Sequence, residues 1–365
     1  MRRSLCPHVG NWYLRRPLPL CLPAILSIFL SACSLIDPGG GRWTHLGLDG
    51  RWVTALADTE WGLFAGTHEQ GVFRYDEASA AWEPLSLDQG AVASLVFLPG
   101  PPPRLLAGMA SYYSEAAVFA TEDAGANWMP SDGGLVALAN ENGGYFRVNS
   151  LTPDPFVPGR VYMNGDASVL VSNDNGHTWA FILGTITSGG SAAVAMAVST
   201  GNQGQICVGG QNSFGIGVLT CTRDGGETWE STCVPRGCPA VDALAIDPLD
   251  GQRVWAASGS GVLVSPDEGQ TWERSLDWRP ADNRRADIHA LTFVGNTLFA
   301  AGAELETDTL PPFPEGLRLF AFVDDGVWWA ADVPTSTSAW SIIADRRGDL
   351  VIGTRGSGVW RFGLD

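Results

Sequence analysis

From residue 53 to the C-terminus the chain is written in short runs of period two. Residues 53–57, 92–97, 148–151, 194–198, 241–246, 288–293 and 340–344 alternate apolar with small or polar positions. That spacing predicts half-buried strands, and no stretch of helical period competes with them. Each run is followed by turn residues and two further runs. The unit at 241 shows the plan. Asp247, Pro248, Asp250 and Gly251 turn the chain, 253–257 and 261–265 read as second and third strands, and a fourth starts at Thr271 and Trp272. The predicted unit is a four-stranded antiparallel meander, repeated along the chain.

The turn between third and fourth strands is itself a repeat. Residues 265–272 read S-x-D-x-G-x-T-W, and 172–179 fit at every position. Residues 222–229 exchange Ser for Thr, 121–128 are a weaker copy, and 76–82 and 324–328 are eroded ones. The closing Trp falls at 82, 128, 179, 229, 272 and 328, at intervals of 46, 51, 50, 43 and 56 residues. Periods of this length mark repeat architectures, blades of a propeller among them. Asp123, Asp174, Asp224 and Asp267 are expected to cap their own turns by accepting backbone N–H groups, with Trp179, Trp229 and Trp272 packing beside them. Too few carboxylates converge for calcium, so no metal and no cofactor is expected.

Seven first strands are counted, but the last unit stops after three. Residues 41–46 have the composition of the missing fourth. The expectation is an all-β, seven-bladed β-propeller of four-stranded antiparallel blades over 41–365, its last blade closed by the N-terminal strand. Closure pairs edges that an open array exposes.

With these turns in place, residues 41–365 resemble the Asp-box (BNR) repeat propellers. These include sialidases, sortilin-type receptors, some endoglucanases and the photosystem II stability/assembly factor. The resemblance implies the fold and no single activity. Sialidase chemistry would need three Arg around a carboxylate and a Tyr with its Glu. Residues 145–148, Tyr-Phe-Arg-Val, are similar to the family's F/Y-R-I-P motif but lack the Pro and sit in the third unit.

The first 32 residues read as a signal peptide. Arg2, Arg3, Arg15 and Arg16 precede an apolar run broken by Pro17, Pro19 and Pro23, too short for a comfortable membrane span. The run ends Leu30-Ser31-Ala32-Cys33, which resembles a bacterial lipobox. Cys33 is the expected lipidation site, and 33–40 are a short linker of about 25 Å at full extension. The expected location is extracytoplasmic and membrane-anchored, at the outer membrane or cell surface.

Composition narrows the partners. Every basic residue is Arg, and removing the leader leaves 18 of the 22 against 39 acids. That balance excludes Lys chemistry and argues against nucleic acid, which needs a basic footprint. A monomer is expected. Four Cys remain beyond Cys33, and an even number in an oxidising compartment predicts two disulfides. Cys207 with Cys221 across a hairpin, and Cys233 with Cys238 around a loop, are the favoured pairs among three connectivities.

The boxes join third and fourth strands, so they share a face with the first turns. The opposite face carries the loops that break the repeat, the usual material of a binding surface. Its ligand-binding candidates are His68, Tyr112, Tyr113, Tyr145, Arg147, Phe214, Arg236, Trp278, Arg284, Arg285, Glu304 and Glu306. A second signal is a column at the second position of the first strands: Thr54, Ala93, Asn149, Ala195, Asp242, His289 and Ser341. It is mostly polar and is expected to line the central channel. Asp242 and His289, from adjacent units, are weak candidates for general-base catalysis. The favoured function is a non-catalytic binding or assembly module for a protein or glycan. The alternative is a surface glycoside hydrolase with Glu304 and Glu115 as paired carboxylates.

Overall fold

The computed structural model describes residues 42–364, except 89, 111–115, 136–145, 166–167, 185–191, 213, 215, 235–239, 260, 279–284, 306–313, 323–326 and 333–337. Of 192, 193, 285, 286, 304, 305, 314–318, 329 and 332 only the backbone is described. Cys33, Tyr112, Tyr113, Glu115, Tyr145, Arg236, Cys238, Arg284 and Glu306 therefore lie outside the described residues.

Strands within each sheet pair antiparallel with their sequence neighbours, because the connections of two to eight residues are too short for a parallel crossover. Five sheets are four-stranded meanders over 92–130, 150–183, 192–233, 243–277 and 285–332. A further sheet runs, in spatial order, through strands Ala339–Ala344, Leu350–Phe362, Trp43–Thr59, Gly62–Thr67, Val72–Asp76 and Ala81–Pro84.

The blade count is thus six among the described residues, not the seven expected. The reason lies in two long strands. Residues 47–52, between the expected strands at 41–46 and 53–57, were expected to be a break. Instead Gly47 pairs with Val359, Asp49 with Ser357 and Trp52 with Arg355. Trp43–Thr59 and Leu350–Phe362 therefore run through as single strands, and the units expected as first and seventh are one six-stranded sheet. The N-terminal segment does pair with the C-terminal strand, from Trp43 opposite Phe362 onward. The junction is tight: a methyl on Gly358, at φ +67°, would sit 1.9 Å from the Gly47 carbonyl oxygen.

Apolar cores lie between successive sheets. Ala55 and Phe64 of one sheet meet Val92, Leu105 and Met109 of the next. A small residue in each second strand admits this contact. An added Cβ at Gly209 would stand 2.5 Å from Cγ1 of Val241, and at Gly66 2.5 Å from Cγ1 of Val92. Removing Val-sized apolar groups from water stabilises by roughly 1.5–3 kcal/mol each, so the seams between sheets hold much of the fold together.

The repeated turn also works across a seam. Within one copy, Ser172 Oγ donates to Asp174 at 2.7 Å and accepts from the Gly176 N–H at 2.9 Å. Asp174 accepts from the Thr178 N–H at 2.9 Å and its hydroxyl at 2.5 Å. The same set recurs around Asp224 and Asp267, and with Asn127 in place of Thr around Asp123. The closing indole then reaches backward. Trp179 donates to the Ser131 carbonyl at 2.9 Å and Trp229 to Ile182 at 3.2 Å, each in or just after the outer strand of the preceding sheet, and Trp82 donates to Leu46 at 2.8 Å within the six-stranded sheet. Cys207 and Cys221 face each other on neighbouring strands and form a disulfide. Cys233 is exposed.

Candidate functional site

The inner strands surround a cavity of about 730 Å³. All seven residues of the predicted column line it: Thr54, Ala93, Asn149, Ala195, Asp242, His289 and Ser341. The backbone explains why. The register slips between Val53 and Ala55, Val92 and Ser94, Ala193 and Ala195, Ile288 and Ala290, and Ala339 and Ser341. A bulge turns the extra residue away from the ladder and re-aims its side chain. The residue before the bulge is the anchor: Val53, Val92, Ile288 and Ala339 are fully buried.

This register corrects the column at two places. In two units the residue that follows the anchor is Val194 or Trp340, one position ahead of the expected Ala195 and Ser341. Val194 and Trp340 are 41% and 36% exposed despite their size. The residues before these bulges are Ala193 and Ala339, not Val, which hides the alignment in the sequence.

The aromatic residues of the ring are on one side. Ala93, Asn149 and Val194 make up the other. Asp242, His289 and Trp340 follow one another on the aromatic side, and Trp52 continues the series. His289 and Trp340 have centroids 5.0 Å apart, Trp340 meets Trp52 edge-on at 4.8 Å, and His68 stacks on Trp52 at 4.3 Å. The strands dictate the last contact: the His68 N–H bonds the Trp52 carbonyl at 3.0 Å, and Arg355 is opposite Trp52 on the other side. The Arg355 guanidinium lies 4.5 Å above the Trp52 ring. All these residues sit at the end of the channel that carries the repeat-breaking loops. The turns at 59–62, 247–252 and 345–349 are at the other end.

Electrostatics in the cavity favour neutral groups. Burial pushes the Asp242 carboxyl up to about 6; a Gly259 N–H at 3.5 Å opposes the rise and the charge of Asp287 adds to it. Burial lowers the His289 imidazole, against the pull of Asp287. No hydrogen bond or ion pair joins Asp242 to His289 among the described residues. The predicted general-base pair is brought into one chamber but not coupled. Several buried polar atoms at this end have no hydrogen-bond partner: Nε1 of Trp52, Nδ1 of His68, Oγ of Ser150 and Oγ of Ser341.

The other candidates scatter. Arg147 lines the cavity. Phe214 is 85% exposed on the loop between second and third strands of its sheet. Trp278 is buried against Phe320, with centroids 5.1 Å apart, and belongs to the core rather than to a surface. Arg285 and Glu304 lie on paired strands, and only their backbone is described. Asp242 is the one carboxylate among the described residues lining the cavity. The described residues hold no cluster of His, Cys, Asp or Glu suited to a metal ion. Depressions of about 540 and 770 Å³ on the outer seams are lined by Trp82 and by Arg253 and Arg274. Their cations are spent on neighbours, Arg253 on Asp247 and Arg274 on Asp277. Sequence reasoning passed over Trp52 and Trp340. The signal that would have found them is the buried anchor that precedes each bulge.

Comparison with known proteins bears on the fold. No protein-family model matches the chain, and no curated protein matches it. Among solved structures, YCF48 from Cyanidioschyzon merolae aligns at TM-score 0.61 and 13% identity, over 88% of this chain and 98% of that one. A structure of YCF48 bound to D1 peptide aligns at 0.61 and 15%, over 90% and 98%. The GH74 xyloglucanase from Xanthomonas campestris aligns at 0.62 and 17% over 88% of this chain, which spans about half, 53%, of that enzyme. The architecture is a β-propeller. Its structural neighbours mix binding proteins and enzymes, and at these identities they carry no activity to this chain.

Proposed function

We propose that this chain is a lipid-anchored, extracytoplasmic propeller that binds a protein or glycan partner at the loop-rich mouth of its channel and does not transform it. One observation carries the reading. The contiguous rings of the channel gather in one sector of that mouth, with the unpartnered polar atoms of Trp52, His68 and Ser341 beside them, while the other sector holds no aromatic ring among the described lining residues. A solvated pore has no need of such asymmetry, and a rigid ring of sheets holds a preformed site at low entropic cost. YCF48, similar in fold, has been solved with a peptide, which supports a binding role for such a scaffold. Hydrolysis of a glycoside calls for two carboxylates about 5–10 Å apart. Asp242 stands without a second among the described lining residues. The anchor rests on the leader and Cys33, with the short linker keeping the propeller near its membrane.

A panel of fluorogenic glycosides tests the absence of catalysis. The wild-type protein should turn over none of them, and turnover abolished by Asp242→Ala would overturn the proposal. Radiolabelled palmitate should enter the wild-type chain and not Cys33→Ala; labelling that survives the substitution would remove the anchor.

A further inference from the structure

His289, Trp340, Trp52 and His68 form an unbroken arc of four rings along the rim of the channel. Trp340 is its accessible plate. The polar atoms around the arc are not consumed by the fold. Thr54 makes the contrast: its hydroxyl donates to the Val92 carbonyl at 2.5 Å and so ties two sheets together. The Ser341 hydroxyl, in the adjoining inner strand, makes no such bond, and neither does the Trp52 N–H or Nδ1 of His68. Buried polar groups in native proteins are nearly all paired, so such a group in a cavity points to a partner that arrives from outside.

The rings and the polar atoms beside them set the chemistry of that partner. Charges of both signs are present, Asp242 and Arg147 in the lining and Arg355 over Trp52, so neither an anion nor a cation is favoured outright. A neutral ligand with an apolar face and a fringe of groups that both donate and accept matches the ring plate and its polar fringe. The Trp52 indole offers a donor only, whereas Ser341 and His68 can act in either sense. A cavity of about 730 Å³ is of the size that holds a small ligand.

We propose that this arc binds a neutral saccharide, with Trp340 as the platform for a sugar ring and Trp52 Nε1, Ser341 Oγ and Asp242 as partners of its hydroxyls. The proposal deepens the binding function above and rests on it. Titration calorimetry and tryptophan fluorescence at pH 7 would use the mature protein with cellohexaose, maltohexaose, mannohexaose and xylohexaose, and with hexagalacturonate as the charged comparison. At least one neutral hexasaccharide should bind more tightly than hexagalacturonate. Trp340→Ala should weaken it about tenfold, Trp340→Phe by no more than about threefold, and Ser341→Ala by a few fold. Leu249→Ala, at the other end of the inner strands, should leave binding unchanged. Circular dichroism checks that each variant is folded, and Ser341→Ala keeps the test open should the Trp variant collapse. Binding of none of the neutral sugars, tighter binding of hexagalacturonate, or wild-type affinity in both Trp340→Ala and Ser341→Ala would overturn the proposal. If no sugar binds while a residue at the channel mouth still cross-links to a protein, the saccharide is wrong and the binding function stands.

Discussion

Asp242→Asn should stabilise the protein, and only above about pH 5. The carboxyl is buried beside the channel with one distant N–H for company, and Asp287 adds a like charge. It titrates near 6 in the folded chain and near 3.9 when unfolded. The folded state therefore prefers the protonated acid. The stability that Asp242 allows is fully present below about pH 4 and is lost as pH rises through 6. Two decades between the two values correspond to about 3 kcal/mol, at 1.36 kcal/mol per decade. Asparagine keeps the shape and does not ionise. The difference in unfolding free energy, variant minus wild type, should be near zero at pH 4 and rise to about 2–3 kcal/mol by pH 8. Urea denaturation followed by tryptophan fluorescence at half-unit pH steps would measure it. A difference that is the same at every pH, or one that favours wild type at pH 8, would refute the reasoning that desolvation governs this site.

The acid limb should belong to the repeated turns. Hydrogen bonds from the side chain and backbone of Asn127 hold the Asp123 carboxyl down to about 2, and Thr271 lowers Asp267 in the same way. Their support is present above about pH 4 and fades as pH falls toward 2, so an Asp267→Asn variant should show a shallower loss of melting temperature between pH 4 and 2 than wild type. Gly209→Ala should cost about 1–3 kcal/mol in urea, because its methyl would meet Val241 at 2.5 Å across a seam. Gly50→Ala, with φ +75° but nothing within 4 Å, should cost only about 1 kcal/mol.

The meander and its punctuation were legible because both rest on local chemistry. Alternation, turn residues and the S-x-D-x-G-x-T-W copies each report on a few neighbouring positions, and the hydrogen bonds around Asp174 and Asp267 follow from them. The sheet count was not legible. Gly47, Asp49 and Gly50 have the composition of a break, yet pairing with 355–359 holds the strand through them. That is a long-range contact, and composition carries no trace of it. The channel column was legible to within one residue. Where Val precedes the bulge, as at Val53 and Val92, the channel position can be counted. Where Ala does, Trp340 is displaced from view by one place. Trp278 shows the opposite error: an aromatic beside Arg on a connection looks exposed, but Phe320 from the adjoining sheet covers it.

The central claim is that the partner meets the loop-rich mouth and not the face of the repeated turns. A photoreactive benzophenone amino acid at Ala110, on the rim of the cavity, and another at Leu249, at the far end, put that claim to one experiment in intact cells. The account predicts a discrete adduct from position 110 that is lost on adding Trp340→Ala, and none from position 249. Adducts from 249 alone, or an adduct from 110 indifferent to Trp340, would contradict it.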